Sequence, residues 1–176
     1  MEKHKEKHTN NVEDILVITS NYPSLSRPQN GAFVRELVRA FARTGIKCTV
    51  INPTSIFDFR YGPLDLLHSV DLNNRNNPIN IYKPRFISAS SKKFLFFDTN
   101  KISKLNFKFS AIRTIIKEKL KPDIVYGHFL YPSGAVAVKV GINLKVPSII
   151  AVGESQIINI FDSDSELEIA KQDFKN

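Results

Sequence analysis

Three places in this sequence carry residue types able to do chemistry on a polar substrate: His128, Glu154 and the Asn30-Gly31 pair. His128 follows the apolar run Asp123 to Gly127 (DIVYG). Its imidazole is therefore expected just past a strand, where it can hydrogen-bond a hydroxyl or move a proton near neutral pH. Glu154 follows a second such run, Pro147 to Val152, and could orient a hydroxyl or serve as a base. Gly31 opens the segment GAFVRELVRAFART. A glycine there lets a ligand approach the backbone, and amides at a helix start favour phosphate or diphosphate oxygens. Each position also has a plain structural reading: a core histidine, a solvated loop carboxylate, and a turn before a helix. The other candidates are weaker. His4 and His8 lie in an all-charged tail, His68 has no partner near it in sequence, and Cys48 has no histidine at ligand spacing, so no metal site is expected.

The elements that must position these residues follow from hydrophobic periodicity. Asp14 to Thr19 (DILVIT) reads as a strand covered on both faces. Ser20 to Asn30 reads as loop, and a helix from Gly31 should present Phe33, Leu37, Ala40 and Phe41 to the core until Gly45 stops it. A second strand is expected at Ile46 to Asn52, and the Asn-rich stretch 53–78 as an extended excursion. A third strand over Ile79 to Ile87 should bend at Pro84. Ser103 to Leu120 steps through Leu105, Phe109, Ile112, Ile116 and Leu120, an amphipathic helix stopped by Pro122. A fourth strand at Asp123 to Gly127, a helix over Pro132 to Leu144 and a fifth strand at Pro147 to Val152 complete the alternation. The fold class is α/β, a doubly wound, mostly parallel, Rossmann-like sheet. Ligands in such sheets bind at the carboxyl ends of the strands, where Gly31, His128 and Glu154 all fall. The chain has neither G-x-G-x-x-G nor G-x-x-x-x-G-K-[ST], which argues against nicotinamide, flavin and nucleoside-triphosphatase chemistry.

The 176 residues are 42% apolar and 24% charged, enough to bury a core and too apolar for a disordered chain. One cysteine, in the apolar stretch IKCTVI, suits a reducing compartment, and the charged start lacks a signal-peptide core, so a cytoplasmic location is expected. No apolar run approaches the roughly 20 residues that span a bilayer. The net charge of +8 is concentrated: Lys83 to Lys121 holds eleven basic and two acidic residues. That segment also carries Phe86, Phe94, Leu95, Phe96, Phe97, Phe107 and Phe109. With Phe107 placed opposite the apolar stripe among Lys92, Lys93, Lys104 and Lys108, it would suit an anionic membrane interface or acceptor. Single-stranded nucleic acid fits less well, and a core run with a solvated cationic rim is the structural alternative.

Taken together, ILVITSNYPSLSRPQNGAFVRELVRAFARTGIKCTVINP and KPDIVYGHFLYPSGAVAVKVGINLKVPSIIAVGES resemble the amino-terminal, acceptor-side domain of glycosyltransferase family 4, retaining enzymes of the GT-B architecture. The resemblance runs from Asp14 to about Gln156 and rests on the combination of pieces. It implies transfer from a nucleotide sugar, a donor substrate rather than a cofactor, to a glycan or lipid-linked acceptor without a metal requirement. The setting it implies is cell-envelope or exopolysaccharide synthesis at the inner membrane face. It also implies that His128 lies close to the transferred sugar, that Asn30 and Gly31 meet the diphosphate or acceptor, and that Glu154 lies near the acceptor. Gly153-Glu154-Ser155 departs from the commoner family forms, and Tyr126 stands where many members carry another histidine. The family holds its donor on a carboxyl-terminal domain with an E-x7-E motif, which does not occur before Asn176. The expected organisation is a polar tail at 1–13, the domain at 14–160 and an acidic segment at 161–176, truncated and inactive alone, or one subunit of a split enzyme. A non-catalytic α/β module binding a phosphorylated or glycan ligand in the same crevice is the competing reading.

Overall fold

The computed structural model of the chain describes residues 11–72, 77–88, 99–153, 167–168, 171–172 and 174. Its centre is β1 (Asp14–Thr19), whose residues alternate between two cores. Ile15 and Val17 pack against α1 (Ala32–Arg43), while Leu16 and Ile18 face α2 (Thr99–Lys117) and α3 (Ala135–Leu144). The strands β2 (Lys47–Ile51), β4 (His68–Asp71), β5 (Ile79–Tyr82), β7 (Ile124–His128) and β8 (Ser148–Ala151) complete a six-stranded sheet in the order β4-β5-β2-β1-β7-β8. All neighbours are parallel except β4 and β5. The expected α/β, mostly parallel architecture is therefore present, with layers of helix on both faces. Cys48 is buried against α1, its thiol donating toward the carbonyls of Ile46 and Val38, and burial pushes its pKa up to about 12.

Several expected elements differ in detail. The expected strand over Ile79 to Ile87 is two strands, because the chain leaves the sheet at Lys83-Pro84. The second piece, β6 (Arg85–Phe86), pairs instead with β3 (Thr54–Ser55) in a separate two-stranded sheet. The excursion at 53–78 contains β3, a 3-10 helix (Ile56–Tyr61) and the antiparallel edge strand β4, whose sequence HSVD has no apolar run to announce it. His128 is the last residue of β7 rather than the first beyond it, in register with Thr19 of β1.

Both long helices turn different faces inward from those expected. In α1 the deepest residues are Val34, Val38 and Ala42, with Leu37 and Phe41 at their flank, while Phe33 is 55% exposed. In α2 the core residues are Phe107, Ala111 and Ile115, at i, i+4, i+8. Phe109 and Ile116 of the expected stripe are 64% and 71% exposed. Ser110 and Thr114 are buried beside Ala111, and their hydroxyls donate to the carbonyls of Phe107 and Ser110, each at 2.8 Å. That back-bonding satisfies both groups and lets the helix lie close to the sheet. The helix ends before Pro122: Lys119 adopts a left-handed conformation, with Leu120 N donating to Ile115 O and Lys119 N to Ile116 O, a Schellman closure. Among the described residues no helix is long and apolar enough to cross a membrane.

Candidate functional site

Two groups of side chains meet at the carboxyl ends of β1, β2 and β7. The first surrounds His128. Its Nδ1 lies 2.9 Å from the Tyr126 hydroxyl, two residues back on the same strand and on the same face of the sheet. Burial raises the Tyr126 pKa, so the phenol keeps its proton, and its oxygen can either donate to Nδ1 or accept from it according to the imidazole tautomer. Phe129 meets the imidazole edge-on at 4.7 Å between centroids, and Phe33 from the first turn of α1 tilts over it at 5.2 Å. His128 is only 8% exposed, so it sits behind an aromatic screen rather than open in a crevice. Phe129 itself has φ 73° and precedes a kinked turn, Leu130–Gly134, that delivers α3.

The second group is a small polar pocket of about 50 Å³ between the β1–α1 loop and the segment after β2. Ser24, Ser26, Arg27, Asn30, Asn52 and Asp65 are among its walls, all of them hydrogen-bonding groups suited to hydroxyls. Tyr22 also lines it, buried, with its hydroxyl lacking a hydrogen-bond partner among the described residues. Burial, the largest cause, raises the Tyr22 pKa, with Asp71 adding to it, so that hydroxyl is a proton donor at any physiological pH. Asn52 Nδ2 donates to Thr19 O at 2.9 Å, which fixes the ends of β1 and β2 relative to one another.

Asp65, from the excursion, clasps this loop. It accepts from the Leu25 amide and from Lys83 Nζ, both at 2.9 Å, while Lys83 also donates to Pro23 O and Arg85 donates to Asp65 O. Burial lowers the Lys83 pKa, and Asp65 opposes that shift. An unfolded Lys83 would hold its proton to higher pH than the folded one, so this group's contribution to stability rises as pH climbs toward the ordinary lysine value of about 10.4. Lys83→Met is expected to flatten that rise in urea unfolding as pH approaches the ordinary lysine value from below. Asp65→Asn should cost about 2 kcal/mol at neutral pH, less than for fully buried pairs because Asp65 keeps some contact with water. An unchanged urea midpoint in Asp65→Asn would show that the clasp is not held by charge.

Of the residues singled out in the sequence, Asn30 is exposed on the rim of the polar pocket. Gly31 is buried and caps α1, with φ 68°, its carbonyl accepting from Val34 N at 3.0 Å and Arg35 N at 3.2 Å. The Gly31 helix start meets His128 through Phe33. Glu154, Lys92 and Lys93 lie outside the described residues. Lys104 reaches over the Tyr131 ring at 4.9 Å, and Lys108 is half-buried. Phe107 corrects the expectation of an exposed membrane-facing ring. It is 3% exposed and meets Phe86 edge-on, because it, not Leu105 or Phe109, lies on the sheet side of α2. The sequence reading missed Tyr22, Arg27, Asn52 and Asp65. Asn52 was within reach of the strand-end rule applied to β2, whereas Asp65 had no local signal.

No family model matches the chain. It is similar to the "Putative teichuronic acid biosynthesis glycosyltransferase TuaC" of Bacillus subtilis (strain 168), with 25% identity over 150 residues. The match covers 81% of this chain and 36% of that protein, so the chain spans about a third of the relative's length. On an α/β frame with a mostly parallel six-stranded sheet, that similarity supports a glycosyltransferase family for the chain.

Proposed function

We propose that this chain is the acceptor-side half of a retaining glycosyltransferase of family 4 and GT-B architecture. In this reading the sugar comes from a nucleotide sugar and passes to a glycan or lipid-linked acceptor of cell-envelope or exopolysaccharide synthesis. The observation that carries the reading is the 150-residue similarity to a glycosyltransferase named for teichuronic acid biosynthesis. The polar pocket beneath Asn30 supports it, since the unpartnered Tyr22 hydroxyl and the serine, asparagine and aspartate walls are suited to acceptor hydroxyls. His128 would act near the transferred sugar, with Tyr126 orienting its ring, and Phe33 and Phe129 would keep water from the reacting atoms. Asn30 and the Gly31 helix start would meet the diphosphate or acceptor, and Glu154 would orient the acceptor. The donor nucleotide would be held by a second α/β unit, on the same polypeptide or on a separate chain, and no metal ion or cofactor takes part. The enzyme would work in the cytoplasm at the inner membrane face, and this reading calls for no nucleic-acid partner.

The test has two arms. The 176-residue chain, incubated with a panel of nucleotide sugars and envelope glycans, is expected to transfer no sugar alone. In saturation-transfer NMR it is expected to bind acceptor glycans, with binding weakened about tenfold by Tyr22→Phe, the loss of one buried hydrogen bond. Donor-dependent transfer by the chain alone would overturn the division of labour. Glycan binding indifferent to Tyr22→Phe would remove the acceptor site from this pocket.

A further inference from the structure

A second concavity among the described residues lies away from the strand-end crevice. It is a groove of about 810 Å³ on the α2 side of the sheet, where β4 and β5 run out beyond the helix. Its walls are aromatic and apolar: Phe86 and Phe109 line it, and so do Tyr82 and His68, whose rings stack at 4.5 Å and 21°. Its charged groups are mainly cationic. Lys117 is paired with Glu118 at 3.3 Å, leaving the Arg113 guanidinium facing the groove. Arg85, whose backbone borders the groove, is turned toward Asp65 O, with its Nη1 buried and without a hydrogen-bond partner among the described residues. Arg113 is exposed at the groove and forms no ion pair among the described residues.

A volume of this size is in the range that takes a small organic ligand, and apolar walls with a few convergent polar groups are how such sites are built. A guanidinium group matches the bidentate geometry of phosphate and carboxylate. We propose that this groove binds an anionic amphiphile, a single hydrocarbon chain ending in a phosphate or carboxylate. The chain lies along Phe86, Phe109 and the His68–Tyr82 stack, and the head group is held by Arg113. A bulk membrane surface fits less well, because the concavity encloses one chain rather than resting on many. The inference stands apart from the transfer reaction, since it uses neither His128 nor the polar pocket.

Calorimetric titration of the whole chain with dodecyl phosphate below its micelle concentration, with dodecanol and with inorganic phosphate tests it. Dodecyl phosphate is expected to bind at least about tenfold more tightly than dodecanol, the scale of a charge-assisted hydrogen bond, and inorganic phosphate more weakly than either. Arg113→Gln should remove the advantage of the phosphate head group, and Phe109→Ser should weaken both amphiphiles. Both side chains are exposed, and circular dichroism melts matching the parent chain confirm that the variants fold. Equal affinity for dodecanol and dodecyl phosphate, or indifference to Arg113→Gln, overturns the proposal. So does binding to phosphatidylglycerol vesicles with none to the monomeric probe, which would instead favour a membrane-facing surface on α2.

Discussion

Phe107→Ala is expected to destabilise the chain by about 3–5 kcal/mol, while Phe109→Ala, two residues along the same helix, should change stability by no more than about 0.5 kcal/mol. Phe107 is fully enclosed between Phe86, Leu16, Val125 and the small residues of α2, so truncation leaves a cavity that the close-packed sheet cannot refill. Phe109 faces the open groove and gives up mainly solvent-exposed surface. Urea unfolding of the two variants beside the parent chain measures the difference, and the reverse ranking would mean that α2 is rotated by about half a turn. The pair also decides how a lipid-binding experiment on this helix must be designed. Loss of vesicle binding in a Phe107 variant would report unfolding, not a lost contact. The exposed apolar positions to probe are Leu105, Phe109 and Ile116, flanked by Lys108, Arg113 and Lys117.

The misreading of α2 has a definite physical origin. The helix carries two apolar rows, Leu105-Phe109-Ile112-Ile116 and Phe107-Ala111-Ile115, and the first contains more large side chains. Ser110 and Thr114 made the second row look like a polar face. Their hydroxyls are absorbed by the helix's own carbonyls, and small residues let the backbone approach the sheet, so the less hydrophobic row is the buried one. The central strands were legible because burial on both faces demands an unbroken apolar run, as in DILVIT and KCTVI. Edge strand β4 was not, since it is covered on neither its free edge nor its α2 side and needs no such run. For the site, strand-end placement pointed to His128 and Asn30. It could not reveal that Tyr126 holds the imidazole, or that Asp65, from forty residues beyond the β1–α1 loop, shapes the pocket that Asn30 rims. Those are tertiary contacts with no local pattern.

Gly31→Ala should be the most damaging single-methyl change in the chain, costing at least about 3 kcal/mol. Two effects combine. At φ 68° any L side chain pays a conformational penalty of about 1 kcal/mol. In addition, an added Cβ would lie 2.4 Å from Asn21 O and 2.8 Å from Tyr22 N, backbone atoms that cannot rotate aside. Gly45 separates the two effects. It also has positive φ, 93°, but a Cβ there meets nothing within 4 Å, so Gly45→Ala should cost only the conformational part, about 1 kcal/mol. Thermal and urea unfolding of both variants checks the ratio, and equal costs would mean that the Asn21–Tyr22 peptide yields freely. The geometry also gives Gly31 a structural role. The hydrogen on its Cα faces the protein's own loop, so the glycine allows the β1–α1 segment to fold back on the helix start. Because Tyr22 belongs to the same peptide that a Cβ would strike, Gly31→Ala should also displace the unpartnered Tyr22 hydroxyl and weaken glycan binding in the polar pocket. Gly45→Ala, at the far end of α1, should leave that binding unchanged. Binding lost equally in both would point to global unfolding rather than to the loop.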